Sequence, residues 1–292
     1  MTASNMPRRA SAPQPIALIG PGRLGQALGR LLAISGERIG WVAARRLSAA
    51  RQAVRFIGAG HAVTLESAEL AQVRVLLITT SDAALPSVAE KLAGRRDDWK
   101  GSVVLHTSGA WPAGGAASVL AHLRSRGASA GSFHPLQTVP SREAGVRNLA
   151  GCSWALEGDR AATQVARRWV RMLRGSAFII DSDRKAAYHA AAVIACAGVV
   201  TLMETSRRLL DRCGVAPNKA RNMLQAFVSE TARNFAELGA TRALTGPAVR
   251  DDWPTINRHI AALSEESPEV ARLYRELTRQ MLALRGNERG LT

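Results

Sequence analysis

The sequence predicts an α/β protein, a doubly wound and mainly parallel sheet followed by an all-helical C-terminal region, on three observations. Short β-like runs alternate with helical runs up to residue 181, the pattern of strands joined through helices that cover both faces of a sheet. The glycine-rich segment Gly20-Pro21-Gly22-Arg23-Leu24-Gly25 directly follows the first apolar run and opens a helix. After residue 181 the β-like runs stop, and the rest of the chain reads as helices with capping signals.

In order, residues 16–19 are the first strand, 25–35 a helix, 38–44 the second strand, 48–58 a helix and 61–64 a short third strand. Residues 73–79 form the fourth strand, 85–92 a helix and 102–106 the fifth strand. A helix over 114–126 precedes a strand ending near Phe133, and strands over 152–156 and 177–180 flank a helix over 160–173. Ser182 or Asp183 caps a long helix running to about Cys213, with Gly214 as its stop. Pro217 opens the next helix, to about Leu238. A short helix covers 253–263, and Ser267-Pro268-Glu269 starts a last one ending near Arg285. The expected organisation is a disordered tail over 1–15, a dinucleotide-binding domain over 16–181 and a helical substrate and dimerisation domain over 182–292.

With 292 residues, 47% of them apolar, the chain can bury a substantial core. The formal charge of +16 is carried by 39 basic residues, of which only Lys91, Lys100, Lys185 and Lys219 are lysines. The arginines are scattered in pairs with few aromatics between them, which disfavours nucleic acid as the partner and favours steering of an anionic ligand. Three separated cysteines suggest neither a disulfide framework nor a zinc site, which fits a reducing cytoplasm. The N-terminus lacks the apolar stretch of a signal peptide. Residues 186–203 approach the length of a membrane span, but they are Ala-dominated and include Tyr188, His189 and Thr201, so the expectation is a helix buried between protein layers and no membrane.

In a dinucleotide-binding reading of the glycine segment, Gly20 allows the tight turn, Gly22 admits the pyrophosphate and Gly25 lets helix and strand pack closely. The helix N-terminus, with Pro21, Arg23 and Leu24 around it, offers free N–H groups to phosphate. The alternative is a structural turn in a Rossmann-like domain without its ligand. The second strand ends in Arg45-Arg46, with no acid to bind a ribose diol, so NADP is favoured over NAD. Alternatively one of these arginines stacks on adenine. Thr79-Thr80-Ser81-Asp82 and His106-Thr107-Ser108-Gly109 follow strands four and five, where an open α/β sheet binds its ligand, although Asp82 equally suits a helix N-cap.

These motifs, with Ser132-Phe-His134-Pro135-Leu-Gln137-Thr138, Lys185-Ala-Ala-Tyr188-His189 and Leu244-Thr245-Gly246-Pro247-Ala-Val-Arg250-Asp251-Asp252, resemble one family across residues 16–285. It is that of the Rossmann-like proteins with a C-terminal helical domain of unknown function, number 2520 in its series. More distantly the chain is similar to pyrroline-5-carboxylate reductases, ketopantoate reductases, 6-phosphogluconate dehydrogenases and deazaflavin-dependent NADP oxidoreductases. The resemblance implies a nicotinamide cofactor, a C-terminal domain like that of 6-phosphogluconate dehydrogenase closing the site, and a homodimer formed through its helices. It does not supply the reaction.

For a reductase, the chain must add a proton donor and a substrate anchor to the cofactor's hydride. His189 and Lys185, one helical turn apart, are the leading catalytic pair, and His134 is a second candidate in a proline-stiffened loop. The bland alternative is a solvated lysine and a packed histidine. Gln137, Thr245, Gly246 and Arg250 are the candidate substrate contacts, with Arg250 able to fork onto a carboxylate. Alternatively Asp251 or Asp252 caps the next helix with Arg250 as its partner. No metal-ligand spacing and no nucleophile elbow are present. The expectation is an NADP-dependent oxidoreductase acting on a small carbonyl or imine substrate in an interdomain cleft. The alternative is a non-catalytic dinucleotide-binding regulator or scaffold.

Overall fold

The computed structural model describes residues 14–286, so most of the tail expected over 1–15 lies outside the described residues. The chain divides into two compact units after Cys196. The first unit runs through β1 (Ile16–Ile19), α1 (Arg23–Ile34), β2 (Ile39–Ala44), α2 (Leu47–Ile57), β3 (His61–Thr64), β4 (Val75–Ile78), α3 (Leu85–Ala93) and β5 (Val103–His106). It continues through α4 (Ala121–Ser125), β6 (Ser129–Pro135), α5 (Arg142–Leu149), β7 (Ser153–Gly158), α6 (Arg160–Met172), β8 (Ser176–Ile179) and α7 (Lys185–Val193). The second unit holds α8 (Val199–Arg212), α9 (Pro217–Leu238), α10 (Ala240–Ala243), α11 (Trp253–Glu266) and α12 (Pro268–Gly286).

The strands form one sheet in the order β3-β2-β1-β4-β5-β6-β7-β8. Every neighbouring pair is parallel except β6 and β7. Because strand side chains alternate between faces, the apolar runs feed two cores. Ile16, Leu18, Val42, Val75 and Leu77 pack with α1, α2 and α6 on one face, where Phe133 stacks on Trp154 at 4.1 Å between ring centroids. Ala17, Ile19, Ala43, Leu76 and Ile78 pack with α3 and α4 on the other.

One cross-strand row on that second face changes character along its length. Ala43, Ile19 and Ile78 are register neighbours, and the row continues through His106 and Ser132 to Glu157. All six are buried, so half of the row is apolar core and half is polar without solvent. Buried polar groups need partners, and those partners shape the loop after β5. Glu157 accepts from the N–H groups of Ala113 (3.0 Å) and Gly114 (2.7 Å), while Ser118 donates to the Ala113 carbonyl at 2.5 Å. These bonds hold residues 113–118 outside a helix, so the helix expected over 114–126 shrinks to α4.

The long helix expected over 182–213 is also modified. It begins as a 3-10 turn at Ser182–Arg184, becomes α7, passes through one π turn at Ile194–Gly198 and continues as α8. Neither Ser182 nor Asp183 caps it. Asp181 holds the cap position, and Ser182 donates instead to Glu157 at 2.6 Å. Nor is this helix buried between layers of the chain: Ser182–Arg212 is long and apolar enough to cross a membrane, and its most apolar window is unburied. The motifs did not reveal α5, which Ser141 caps by accepting from the Ala144 N–H at 3.1 Å, nor the short α10.

Candidate functional site

The glycine turn has the shape its sequence suggests. Gly20 adopts φ +75°, and a Cβ there would lie 2.3 Å from Cγ2 of Thr80. A Cβ on Gly25 would lie 2.2 Å from Oγ1 of Thr79, so α1 can approach the sheet this closely only with glycine. Thr79 secures the turn by donating to the Gly20 carbonyl at 2.8 Å. A Cβ on Gly22 would meet nothing within 4 Å, which leaves an open face at the start of α1. No side chain caps that start, so the first-turn N–H groups of Arg23, Leu24 and Gly25 lack intrahelical partners.

A cleft of about 560 Å³ opens over this turn at the carboxyl ends of β1, β2 and β4. Of the expected cofactor residues, Gly20, Pro21, Gly22, Arg45, Arg46, Thr79, Thr80 and Ser81 line it. Arg23 and Leu24 do not: Arg23 donates to the Pro140 carbonyl at 2.9 Å, and Leu24 packs into the core, so only their backbone N–H groups remain for a ligand. Ser108 is turned inward, its hydroxyl accepting from the N–H groups of Ala110 and Trp111 at 3.1 and 3.0 Å. Gln137 bonds its own neighbour, the Thr138 N–H, and is exposed. Asp82 does not cap α3, whose cap position is Ala84; its carbonyl takes the Trp111 indole N–H at 3.1 Å, tying the loop after β5 to the loop after β4.

The cleft fits a dinucleotide by its donor set. It joins a glycine face open to backbone approach, a helix start with free N–H groups and two exposed arginines at the end of β2. Beside the turn, the buried Thr80 hydroxyl has no partner among the described residues.

Further along the sheet, the polar half of the buried row meets α7. Lys185, which the bland alternative placed in solvent at a helix start, is instead fully buried. Its amine donates to the Ser132 hydroxyl and lies 3.3 Å from Oε2 of Glu157. Burial pulls its pKa down to about 8 against the opposing pull of the Glu157 and Asp82 charges. Lys185 and His189 therefore form no pair of their own: the amine faces the sheet, while the His189 ring packs edge-on to His134 at 5.7 Å between centroids. His134 Nδ1 lies 2.7 Å from the Tyr188 hydroxyl. Burial first, then the Lys185 and His189 charges, lowers the His134 pKa to about 3, while burial raises Tyr188 to about 12. Gly109 is the contact between loop and histidines, since a Cβ there would lie 2.5 Å from the His189 ring and 2.7 Å from Nε2 of His134.

His106, one strand away, is wholly buried and held neutral by that burial and by the Lys185 charge. Its Nδ1 accepts from the Ser108 N–H at 3.2 Å, which places its proton on Nε2, a buried atom without a partner among the described residues. Sequence reasoning missed Glu157 altogether and gave Ser132 and Tyr188 no role of their own. The available signal for Glu157 was a lone acid ending the apolar run Trp154-Ala-Leu-Glu157.

Thr245, Gly246 and Arg250 lie in the second unit, between α10 and α11. There Asp252 caps α11 by accepting from the Thr255 N–H at 3.1 Å, and Asp251 pairs with Arg285 at 2.6 Å rather than with Arg250. The capping alternative thus accounts for Asp252 alone, and Arg250 is left exposed.

Comparison with known proteins agrees with this architecture. Two sequence families match: a Rossmann-like domain over residues 5–135 and a domain of unknown function (DUF2520) over residues 152–281. None of the curated proteins matches in sequence. Among solved structures, the Bacteroides fragilis protein BF3122, provisionally named an NADP oxidoreductase, is 24% identical with a TM-score of 0.71, over 94% of this chain and 100% of that one. Thermotoga maritima TM1727 is 22% identical with a TM-score of 0.72, over 94% and 99%. An Aspergillus terreus imine reductase, solved with NADPH4 and dibenz[c,e]azepine, is 16% identical with a TM-score of 0.61, over 92% and 95%. At these identities the likeness establishes the fold, and the family matches bear out the resemblance read from the motifs. The chain is thus similar to the Rossmann-like family over residues 5–135 and to the DUF2520 family over residues 152–281.

Proposed function

We propose that this protein is an NADP-dependent oxidoreductase that reduces a small carbonyl or imine compound. The observation that carries the reading is the cleft, where the open Gly22 face and the uncapped start of α1 meet Arg45 and Arg46 in one cavity. The Bacteroides neighbour's name as an NADP oxidoreductase and the Aspergillus neighbour's as an imine reductase support this reading.

The first-turn N–H groups of α1 would hold the pyrophosphate, and Arg45 with Arg46 the ribose 2′-phosphate. A bound nicotinamide would supply the hydride. From β2 to β5 the sheet order crosses three strand spacings, about 14 Å, so the arginines and the histidines stand well apart along the carboxyl edge. The protein's own contribution is the proton. His134, kept neutral, serves to orient, its Nδ1 hydrogen-bonded to the Tyr188 hydroxyl. It holds no spare proton at neutral pH, which leaves His189 as the general acid. Lys185, sealed against Ser132 and Glu157, is a positioning residue that fixes α7 and with it Tyr188 and His189.

The test is NADPH oxidation against a panel of small ketones, keto acids and cyclic imines, with His189→Gln beside the wild type. We expect turnover to fall about 100-fold or more while NADPH affinity is unchanged. Equal turnover in both would contradict the assignment, and NADPH binding without turnover on any compound would favour the regulator reading.

We infer also that the chain pairs with a second copy through its C-terminal helices. Ile194 (71% exposed), Val200 (64%), Phe227 (71%) and Phe235 (61%) support this, because solvated helices seldom display so much apolar surface. Against a membrane span, the start of the apolar helix is anchored to the sheet through Ser182, Lys185 and Tyr188.

A further inference from the structure

The outer end of the cleft carries more charge than the end of β2 supplies. Ser87 and Lys91, one turn apart on α3, line the same cavity as Arg45 and Arg46. The loop after β3 brings Leu65 and Glu66 to it. That loop is pinned, because Arg95 donates to the carbonyls of both residues, at 2.6 Å for Glu66. Ser87 offers no free donor, since its hydroxyl is bonded to the Ala84 carbonyl at 3.0 Å.

The charged side chains lining the cleft are thus Arg45, Arg46, Lys91 and Glu66, a net of two positive charges. A phosphate monoester carries about −1.5 to −2 near neutral pH, whereas a ribose hydroxyl carries none. The wall is therefore matched to a monoester dianion, and its cations come from two separate places, the loop after β2 and α3.

We propose that Lys91 is a specificity-determining residue that reads the 2′-phosphate of an NADP-class dinucleotide from α3, completing the site begun by Arg45 and Arg46, with Glu66 offsetting the excess charge. This assignment rests on the NADP reading above. Lysine suits the position, because its ammonium is a point charge on a flexible stem that can follow a phosphate already forked by arginine. Lys91 is exposed on a helix, so replacement by alanine leaves the fold intact.

The experiment is calorimetric titration of the full chain with NADPH, NADH and adenosine 2′,5′-bisphosphate, for wild type, Lys91→Ala and Glu66→Gln. We expect Lys91→Ala to weaken both 2′-phosphorylated ligands on the order of tenfold and to leave NADH unchanged. Glu66→Gln should tighten the same two ligands several-fold, a gain that shrinks as salt is raised. Equal weakening of NADPH and NADH by Lys91→Ala, or no change in NADPH, would overturn the assignment while leaving dinucleotide binding intact. A wild-type protein that binds neither nucleotide would overturn the underlying reading and Lys91 with it.

Discussion

In the N-terminal unit, successive residues of β1, β2 and β4 disappear into one core or the other, and even His106, Ser132, Glu157 and Lys185 are sealed from water. The helices of the C-terminal unit bury almost nothing: α8 buries no residue, α9 only Ala220, α11 only Ile256, and α12 only Ala271 and Thr278. Similar apolar content is thus put to different uses. The sheet unit satisfies itself and spends its buried polar groups on fixing loops and α7. The helical unit leaves Phe227 and Phe235 in solvent, which is what the proposed pairing with a second copy requires.

The contrast predicts a large penalty for breaking the buried row. Glu157→Ala strands the Lys185 amine and the N–H groups of Ala113 and Gly114, and should cost about 3–5 kcal/mol, read by denaturant unfolding through Trp154 and Trp169 fluorescence. Replacing both ions together, Lys185→Met with Glu157→Leu, should recover much of that loss. A cost below about 1 kcal/mol for Glu157→Ala, the range of exposed pairs, would show that the row does not hold the loop.

Acid should act on the same unit with a smaller effect. Unfolded, His134 binds a proton near pH 6.5, but folded only near pH 3. Through that window the unfolded state holds more protons, so stability falls as pH falls. Between pH 7 and 5 this contributes about 2 kcal/mol of lost stability. His134→Gln should lose correspondingly less over that interval, and equal losses in the two proteins would contradict a neutral buried His134.

In the helical unit the corresponding substitution should hardly touch folding. Phe227→Glu alters a side chain that is 71% exposed in the single chain, so its cost in folding should stay within about 0.5 kcal/mol. Its effect should fall on assembly, which sedimentation velocity reads directly as a shift from dimer to monomer. A monomeric wild type, or a dimer indifferent to the charge, would break the comparison.

Much of the sheet unit was legible from sequence because its signals are local. The runs at 16–19 and 61–64 match β1 and β3, and Gly20, Gly22 and Gly25 occupy the turn they suggest. What was not legible is set by distant partners. Glu157 gathers Ala113, Ser132, Ser182 and Lys185 from three segments, so neither its burial nor the unwinding of 113–118 can be read from any one stretch alone. Arg23 and Leu24 belong to the glycine motif, but the motif does not say where their side chains point. The exposure of the apolar helix escaped for a related reason, since composition records how apolar a helix is and not what covers it.

If the glycine turn and the arginines that follow β2 form a site for NADP, calorimetric titration with NADPH and NADH will separate the two nucleotides. Wild type should bind NADPH more tightly than NADH, and Arg45→Ala with Arg46→Ala should weaken NADPH by at least about tenfold while sparing NADH. Equal affinity for the two nucleotides, or a preference for NADPH that survives loss of both arginines, would contradict such a site.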